Sequence, residues 1–208
     1  MALYRWQYAG VVICLGYGRL LMGNNANNNQ ILDAGKGRIR SQPYNQWPVE
    51  LQSMVEGNGL VPRLYQVLSC NPELFAARMS FGRYIQRDSS LSAVDRELLV
   101  LRVAWRTSGQ YVWGRHKSET LLLGLTESQV NQAAESGAGN LLFKVVDELI
   151  RDQDISDTTW EQLAEQYSEK QRLDIIFTVL GYQMTAVAAK ALRIPAETGD
   201  HPLPDQQN

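Results

Sequence analysis

The stretch that decides the fold is residues 91–124, LSAVDRELLVLRVAWRTSGQYVWGRHKSETLLLG. Ser92, with Asp95 three residues later, has the residue types and spacing of a helix cap. A helix is therefore predicted from Ala93 to about Thr107, with Val94, Leu98, Leu101 and Trp105 on one apolar face. Ser108-Gly109 interrupts the pattern, and a second helix follows until glycine ends the stretch. Two helices joined by so short a break predict an antiparallel hairpin.

Helix signals continue on both sides of this hairpin. Proline at a first-turn position, serine or threonine caps and amphipathic spacing predict further helices. These helices are expected to begin near Pro48, Pro72, Thr126, Leu141, Ser156 or Asp157, and Lys170, and the last is expected to end at Leu192, before Pro195. No convincing strand alternation is present, and no nucleotide-binding glycine pattern follows a strand. The prediction is an all-α fold, an array or bundle of helices.

Composition divides the chain into a body and two outer segments. Residues 1–37 contain a short apolar run, AGVVICL, and an Asn/Gly-rich linker, and they are expected to be a non-conforming extension. The run is too short to span a bilayer, and no A-x-A-like cleavage site follows it. Residues 38–197 form the predicted helical domain. Residues 198–208 are polar with two prolines and are expected to be a disordered tail.

The overall composition excludes several classes of function. The 208 residues carry a formal net charge of −2, without the basic surplus of a nucleic-acid binder. Cys14 and Cys70 form no CxxC motif, and two histidines cannot build a three-histidine site. We therefore expect no metal and no cofactor, no nucleic-acid or membrane partner, and a cytoplasmic location. Function must rest on carboxylates, arginines, tyrosines and His116.

His116 is the centre of the predicted site. On a helix it shares a face with Val112, Trp113 and Thr120, so this face is expected to point inward. The hairpin can bring Glu97 of the first helix close to the imidazole. A buried Glu–His pair satisfies both groups and can serve as a general acid/base couple. The alternatives are a purely structural core histidine and a solvated Glu97.

Other side chains could bind a substrate beside this pair. Arg102 and Arg106 could hold a carboxylate in bidentate fashion. Tyr111, together with Val112, Trp113 and Thr120 of the His116 face, could line a pocket. The alternative for the aromatic residues is an ordinary core position, since aromatic rings at helical spacing usually pack inside the protein.

The order of these motifs resembles the carboxymuconolactone decarboxylase family, which shares its fold with the alkylhydroperoxidase D proteins. The resemblance rests on residues 91–130, where an R-E-L-L helix, a break, an aromatic residue five before His116 and a GLT-E turn follow one another. Flanking segments that also fit are PYNQWP (43–48), NPELF (71–75), SFGRYIQRDSSL (80–91), ISDTTWEQLAEQY (155–167) and GYQMTAVAAKALRIP (181–195). The resemblance covers about residues 38–195 and implies an oligomeric alkylhydroperoxidase D-like array, a homotrimer or homohexamer.

The resemblance also implies roles for single positions. Peroxidase-type members have cysteines seven and four residues before the histidine, where this chain has Gly109 and Val112. Their relay carboxylate stands nineteen residues before the histidine, at Glu97. Decarboxylase-type members often have glutamate at the position of Val112. The implied activity is cofactor-free proton transfer on a small carbonyl or carboxylate substrate, as in decarboxylation, isomerisation or lactone opening.

Two alternatives remain open at this stage. The first is a peroxidase-type antioxidant protein, in which Cys70 would have to approach His116. The second is a catalytically degenerate, oligomeric binding protein, which the missing cysteines and the missing carboxylate at Val112 favour.

Overall fold

A computed structural model describes residues 37–56, 61–135 and 139–205 of the chain. In these ranges the secondary structure is helical throughout, which confirms the predicted all-α fold. After a 3₁₀ turn at Tyr44–Gln46, the helices are α1 (Val49–Glu56), α2 (Arg63–Leu68), α3 (Pro72–Arg83), α4 (Ala93–Arg106), α5 (Gln110–Leu122), α6 (Glu127–Gln132), α7 (Leu141–Arg151), α8 (Asp157–Gln166) and α9 (Glu169–Ala191).

Helix α4 is the centre of the array. It packs against α5, α7 and α9, and every residue from Leu99 to Trp105 is buried. The predicted apolar face is right only for its second half, because Val94 is exposed and Leu98 is only partly buried. The helix begins at the surface and becomes surrounded after its first turns, so an apolar stripe alone does not describe its packing.

Side-chain caps set most of the helix starts as the sequence predicts. The Ser92 side chain accepts a hydrogen bond from the Asp95 amide, and Thr126 forms a capping box with Gln129. Such caps satisfy amide groups that the first turn of a helix leaves without partners. The helix predicted from Pro72 ends at Arg83 as an α-helix and continues as a π-helical turn at Tyr84–Asp88. Helix α2 has no counterpart among the predicted helices.

The corner between α4 and α5 depends on glycine. Ser108 has a φ of 51°, in the left-handed region, and the Gly109 amide donates to the Ala104 carbonyl oxygen at 2.7 Å. A Cβ atom at position 109 would lie 2.9 Å from the Cβ of Ala186 in α9. The chain can therefore turn this tightly against α9 because position 109 has no side chain.

The segment after α9 differs from the disordered tail that the sequence predicts. Gln110 donates to the His201 carbonyl oxygen at 2.9 Å and accepts from the Leu203 amide at 2.7 Å. Asp200 lies against Gly114, where a Cβ atom would be 2.6 Å from the Asp200 Cβ. The segment lies along α5 because one glutamine pairs with its backbone and a glycine makes room for it. The domain boundaries at 37 and 197 otherwise stay predictions, and residues 1–36 lie outside the described ranges.

The described residues contain one main core and one smaller cluster. The main core joins the central helices. The smaller cluster lies under the first helices and consists of Trp47, Leu51, Val61 and Phe75. None of the helices in the described ranges combines the length and the apolar content needed to cross a membrane.

Candidate functional site

The hairpin of α4 and α5 brings Glu97 and His116 into contact, as the sequence predicts. Their atoms Oε2 and Nδ1 lie 2.7 Å apart, and the two residues are only 2% and 3% exposed. Because an ionised carboxylate can only accept, the Nδ1–H of His116 donates to Glu97. The second carboxylate oxygen accepts from Nε of Arg96 at 3.2 Å. The pair is thus buried, and the reactive nitrogen that remains on the ring is Nε2.

Two further elements hold the imidazole ring in place. Tyr182 of α9 meets the ring edge-on, with centroids 4.9 Å apart and an interplanar angle of 89°. Its hydroxyl accepts a hydrogen bond from Nε2 of Gln86, in the π-helical turn, at 3.0 Å. The Thr120 hydroxyl donates to the His116 carbonyl oxygen at 2.7 Å. The ring is therefore oriented from α4, α5 and α9 together.

A second acidic group, Glu119, lies at the edge of this pair. Its Oε2 is 3.6 Å from Nδ1 of His116, while its Oε1 lies 3.5 Å from Nε of Arg115. Sequence reasoning missed Glu119, although its position three residues after His116 on a helix was sufficient to suggest it. Gln86 was also missed as a site residue, since it comes from a distant segment with no spacing signal.

The charges of this cluster shift the pKa values of both members of the pair. Burial alone would lower the pKa of the His116 imidazole, but the charges of Glu97 and Glu119 outweigh burial and raise that pKa above 6.5. Burial alone would raise the pKa of Glu97, but His116 and Arg96 together lower that pKa below 4.5. Both directions favour the doubly charged, hydrogen-bonded form of the pair.

Glu97, His116 and Glu119 are also the residues that could hold a metal ion. Their candidate ligand atoms all lie within 4.8 Å of one another. However, the imidazole Nδ1 is already in a short hydrogen bond, and each carboxylate has an arginine on its other oxygen. This donor set satisfies itself without a cation, so it supports a proton-transfer pair better than a metal centre. The expectation of no metal stays a prediction.

Arg102 is not available for the predicted role in substrate binding. Its guanidinium is buried and donates to both carboxylate oxygens of Asp147, at 2.8 and 2.6 Å. It also donates to the carbonyl oxygens of Ala133 and Glu135 and lies over the ring of Trp105. Arg102 therefore joins α4 to α7. The hydrogen-bond donors of its buried guanidinium are occupied by acceptors of the protein itself.

Arg106 belongs to the same cluster as Arg102. Its Nε lies 3.4 Å from Asp147, with the side chain partly exposed, and its guanidinium also lies near the Trp105 ring. The two arginines predicted to bind a carboxylate substrate thus share a carboxylate of the protein itself, and a substrate role for the partly exposed Arg106 stays a prediction.

The predicted pocket residues on α5 are all buried, but they divide into two groups. Val112, Trp113 and Thr120 share the inward face of His116, as predicted. Tyr111 points elsewhere: its hydroxyl accepts from the Leu64 amide and donates to Glu197. Burial and the Glu197 charge raise the pKa of the Tyr111 phenol. Tyr111 therefore fastens the C-terminal segment and is not brought to the His116 pair.

The two positions that hold cysteines in the peroxidase-type pattern hold other residues in this chain. Gly109 and Val112 occupy them. Cys70 is exposed in the turn between α2 and α3, where its Sγ donates to the Arg40 carbonyl oxygen at 3.1 Å. The contacts made by Cys70 therefore give no support to a thiol that serves His116, and Cys14 lies outside the described residues.

Two surface cavities of about 360 and about 370 Å³ lie away from the pair. The first is lined by α7 and α8 residues such as Lys144, Asp147 and Gln162. The second is lined by Leu98, Leu125 and Phe143, among others. Neither is lined by His116 or Glu97, so a substrate that reaches the pair must enter elsewhere.

Comparison with known proteins agrees with the all-α fold. Residues 72–140, which include α3, α4, α5 and α6, match the model of the carboxymuconolactone decarboxylase family. The resemblance to this family is confirmed. The match contains both Glu97 and His116. No curated protein matches the chain significantly.

Solved structures of similar fold are alkylhydroperoxidase D-like proteins. One is an uncharacterised peroxidase-related protein from Ralstonia eutropha JMP134, an alkylhydroperoxidase AhpD core, at 15% identity and TM-score 0.69, covering 78% of this chain and 93% of that one. Another is an uncharacterised peroxidase-related protein from Silicibacter sp. TM1040, at 16% identity and TM-score 0.65, covering 72% and 84%. A third is the debrominase Bmp8 in complex with 2,3,4-tribromopyrrole, at 13% identity and TM-score 0.62, covering 76% and 90%. At these identities the likeness establishes the fold.

Proposed function

We propose that this protein is a cofactor-free, cytoplasmic proton-transfer enzyme acting on a small carbonyl or carboxylate compound. The observation that carries the proposal is the buried 2.7 Å contact between Nδ1 of His116 and Oε2 of Glu97. A carboxylate on one ring nitrogen fixes the tautomer and supports the imidazolium, so that Nε2 exchanges a proton with a bound molecule.

The raised pKa of His116 gives this exchange a direction. Despite burial, the charges of Glu97 and Glu119 raise the pKa of His116, so the imidazolium form persists to higher pH than in a free histidine, and its Nε2–H can protonate a carbanion or enolate carbon as a general acid. In a decarboxylation, the C–C bond to the carboxylate breaks and carbon dioxide leaves. The electron pair of that bond stays on the substrate as an enolate, whose carbon takes the Nε2 proton. In an isomerisation, neutral Nε2 first removes a proton beside the carbonyl and then returns it to another carbon.

Two unpartnered polar atoms support a ligand site near the pair. Nε1 of Trp113 and Oγ1 of Thr178 are buried without a hydrogen-bond partner among the described residues. Trp113 precedes His116 by three residues on α5, and Thr178 precedes Tyr182 by four residues on α9, so each shares a face with a residue of the site. A buried polar group without a partner costs about 1–3 kcal/mol, and a polar substrate group would remove that cost.

The residues that are absent narrow the reaction class. A thiol at position 109 or 112 would be needed for the cysteine chemistry of peroxidase-type relatives, and glycine and valine cannot supply it. The debrominase relative binds a small planar ring, tribromopyrrole. We therefore expect this chain to bind a molecule of comparable size, such as an unsaturated lactone or a β-keto acid, and to act on it through His116 alone.

The decisive experiment compares the two histidines of the chain. His116→Gln keeps much of the side-chain volume but cannot transfer the proton. His201→Gln changes a residue whose hydrogen bond to Gln110 uses its backbone carbonyl oxygen. Unsaturated lactones and β-keto acids are screened with the unaltered protein, and turnover is then measured in both variants. We expect a loss of about 10²–10⁴-fold for His116→Gln alone.

A different outcome would favour a structural histidine. If His116→Gln melts several degrees earlier than the unaltered protein while turnover or ligand binding per folded molecule is unchanged, the proton-transfer proposal is wrong. The chain would then be a family member that uses the fold for binding only.

A further inference from the structure

The outer face of α9 is apolar over four turns. Leu173, Phe177, Leu180, Met184 and Val187 are 42–57% exposed, and their spacing alternates four and three residues. This is the a/d spacing of a coiled-coil seam. We name these five residues the α9 seam. The opposite face of α9 carries Ile175, Tyr182 and Ala186 into the core, so the seam is not needed to hold this chain together.

We propose that the α9 seam is the contact surface for a second copy of this chain, with the two α9 helices antiparallel about a two-fold axis near residues 178–179. In that register the a and d positions meet in layers: Leu173 against the partner's Met184, and Phe177 against the partner's Leu180. The layers repeat symmetrically on the other side of the axis, as an isologous contact requires, and Val187 at the end of the seam lies against the aliphatic stem of the partner's Lys170. The proposal rests on α9 and is independent of the proton-transfer function.

The charges at the two ends of the seam select the antiparallel direction. Glu169 and Lys190 occupy equivalent flanking positions of the heptad, and the proposed register places Glu169 opposite Lys190 of the partner subunit. Lys190 donates to the Thr107 carbonyl oxygen, which leaves two of its three ammonium protons for a carboxylate. A parallel pair would instead stack Lys170 on the partner's Lys170. From Leu173 to Val187 no charged side chain is exposed on α9.

The area of the seam is sufficient for a specific contact. At roughly 100 Å² of exposed surface per side chain, the seam offers about 500 Å² per copy and about 1,000 Å² in a symmetric pair. That value reaches the roughly 1,000 Å² expected of a biological interface, and a patch of about 500 Å² on one copy has the size of the largest, often functional, patch of a protein surface. The partly buried Ile176 and Gln183 lie next to the seam and would extend the contact.

The first experiment measures the mass of the full chain in solution by sedimentation velocity across micromolar concentrations. We expect a dimer, or a larger assembly that contains this two-fold contact. Leu180→Glu places a carboxylate near the axis in both copies and is expected to raise the dissociation constant of the contact by about a hundredfold or more. Leu122→Glu is the matched control, because Leu122 is 65% exposed at the end of α5 and outside the seam.

A charge exchange then tests the direction of the two helices. Glu169→Lys is expected to weaken association, and the same chain with Lys190→Glu added is expected to recover it, because the pair is restored across the axis. A monomeric full chain would overturn the proposal, including the case in which residues 1–36 cover the seam. An oligomer unaffected by Leu180→Glu would also overturn it. Failure of the double exchange to recover association would overturn the antiparallel register.

Discussion

Two buried charge pairs start from the same helix and differ in what they leave available. Arg102 of α4 reaches Asp147 through two short hydrogen bonds and gives further hydrogen bonds to two backbone carbonyls. Glu97, five residues earlier on α4, holds His116 through one ring nitrogen. In the Arg102–Asp147 pair the guanidinium donors are occupied by protein acceptors. In the Glu97–His116 pair the carboxylate binds only Nδ1, so Nε2 of the imidazole can interact with another group. Burial and opposite charge therefore do not by themselves identify a functional pair.

The Arg102–Asp147 pair is expected to contribute more to the stability of the fold than the Glu97–His116 pair. Arg102 joins α4, α7 and the segment after α6, and it lies over Trp105 and near Phe143. The Glu97–His116 pair joins α4 and α5, which the short corner at Gly109 already holds together. Substitutions in the two pairs are therefore expected to differ in their effects on stability and on activity.

The largest expected effect is that of Arg102→Ala. The change leaves the partly buried Asp147 without its main partner and creates a gap beside Trp105. We expect the free energy of unfolding to fall by about 3–5 kcal/mol. Denaturant unfolding measures this change, with Arg106→Ala as the control. Because Arg106 is partly exposed and makes one longer contact with Asp147, its loss is expected to cost about 1 kcal/mol or less. Equal losses in the two variants would contradict the assignment.

Glu97→Gln is expected to have an intermediate effect. Glutamine can still accept the hydrogen bond from Nδ1 of His116, but it removes the charge that supports the imidazolium. Stability should fall by about 1–3 kcal/mol. The pKa of His116, which Glu97 raises, should fall, and the inflection of the pH–rate profile should move to lower pH. A profile that does not move while the rate falls would show that Glu97 is not coupled to His116.

The stability of the pair is expected to depend on pH with a defined sign. The raised pKa of His116 stabilises the fold below pH 6.5, and this stabilisation is lost as pH rises through the folded-state value. The lowered pKa of Glu97 stabilises the fold above pH 4.5, and this is lost as pH falls through its folded-state value. Both contributions are complete between pH 4.5 and 6.5.

The melting temperatures of the unaltered protein and His116→Gln should therefore differ most in that window and converge above it. Thermal unfolding from about pH 4 to pH 9 measures the difference. His201→Gln provides the baseline. A difference that stays constant over the whole range would indicate that His116 contributes through packing and not through charge.

Cys70→Ser is expected to have the smallest effect. The thiol is exposed and makes one weak hydrogen bond to the Arg40 carbonyl oxygen, which a serine hydroxyl can replace. Stability should change by less than about 0.5 kcal/mol, and turnover should be unchanged. A loss of peroxide consumption in this variant, with normal folding, would revive the antioxidant alternative.

Local signals in the sequence were sufficient for the fold and for the central pair. Ser92, Thr126 and Gly109 mark the helix limits, and hairpin geometry brings Glu97 to His116 without knowledge of any other helix. The successful predictions share one property: the residues that interact are close in sequence or joined by one short turn. Glu119, three residues after His116, met the same condition and was missed although it was predictable.

The failures concern partners that lie far apart in sequence. Arg102 looked available because its partner Asp147 is 45 residues away, and Tyr111 looked like a pocket residue because Glu197 is 86 residues away. Gln86, which donates to the Tyr182 hydroxyl from a separate segment, was not assigned to the site for the same reason. Single-sequence reasoning sees charge and apolar spacing, but the choice among several possible partners is made by tertiary packing.

The close approach of Gly109 to Ala186 has a consequence for the engineering of this chain. With 2.9 Å between a Cβ at position 109 and the Cβ of Ala186, Gly109→Cys cannot be accommodated unless α9 moves or Ala186 first becomes glycine. A cysteine at position 109 therefore requires a second substitution, and the order of the two substitutions matters. An attempt to introduce thiol chemistry at this corner must begin with Ala186→Gly in α9 and only then change position 109.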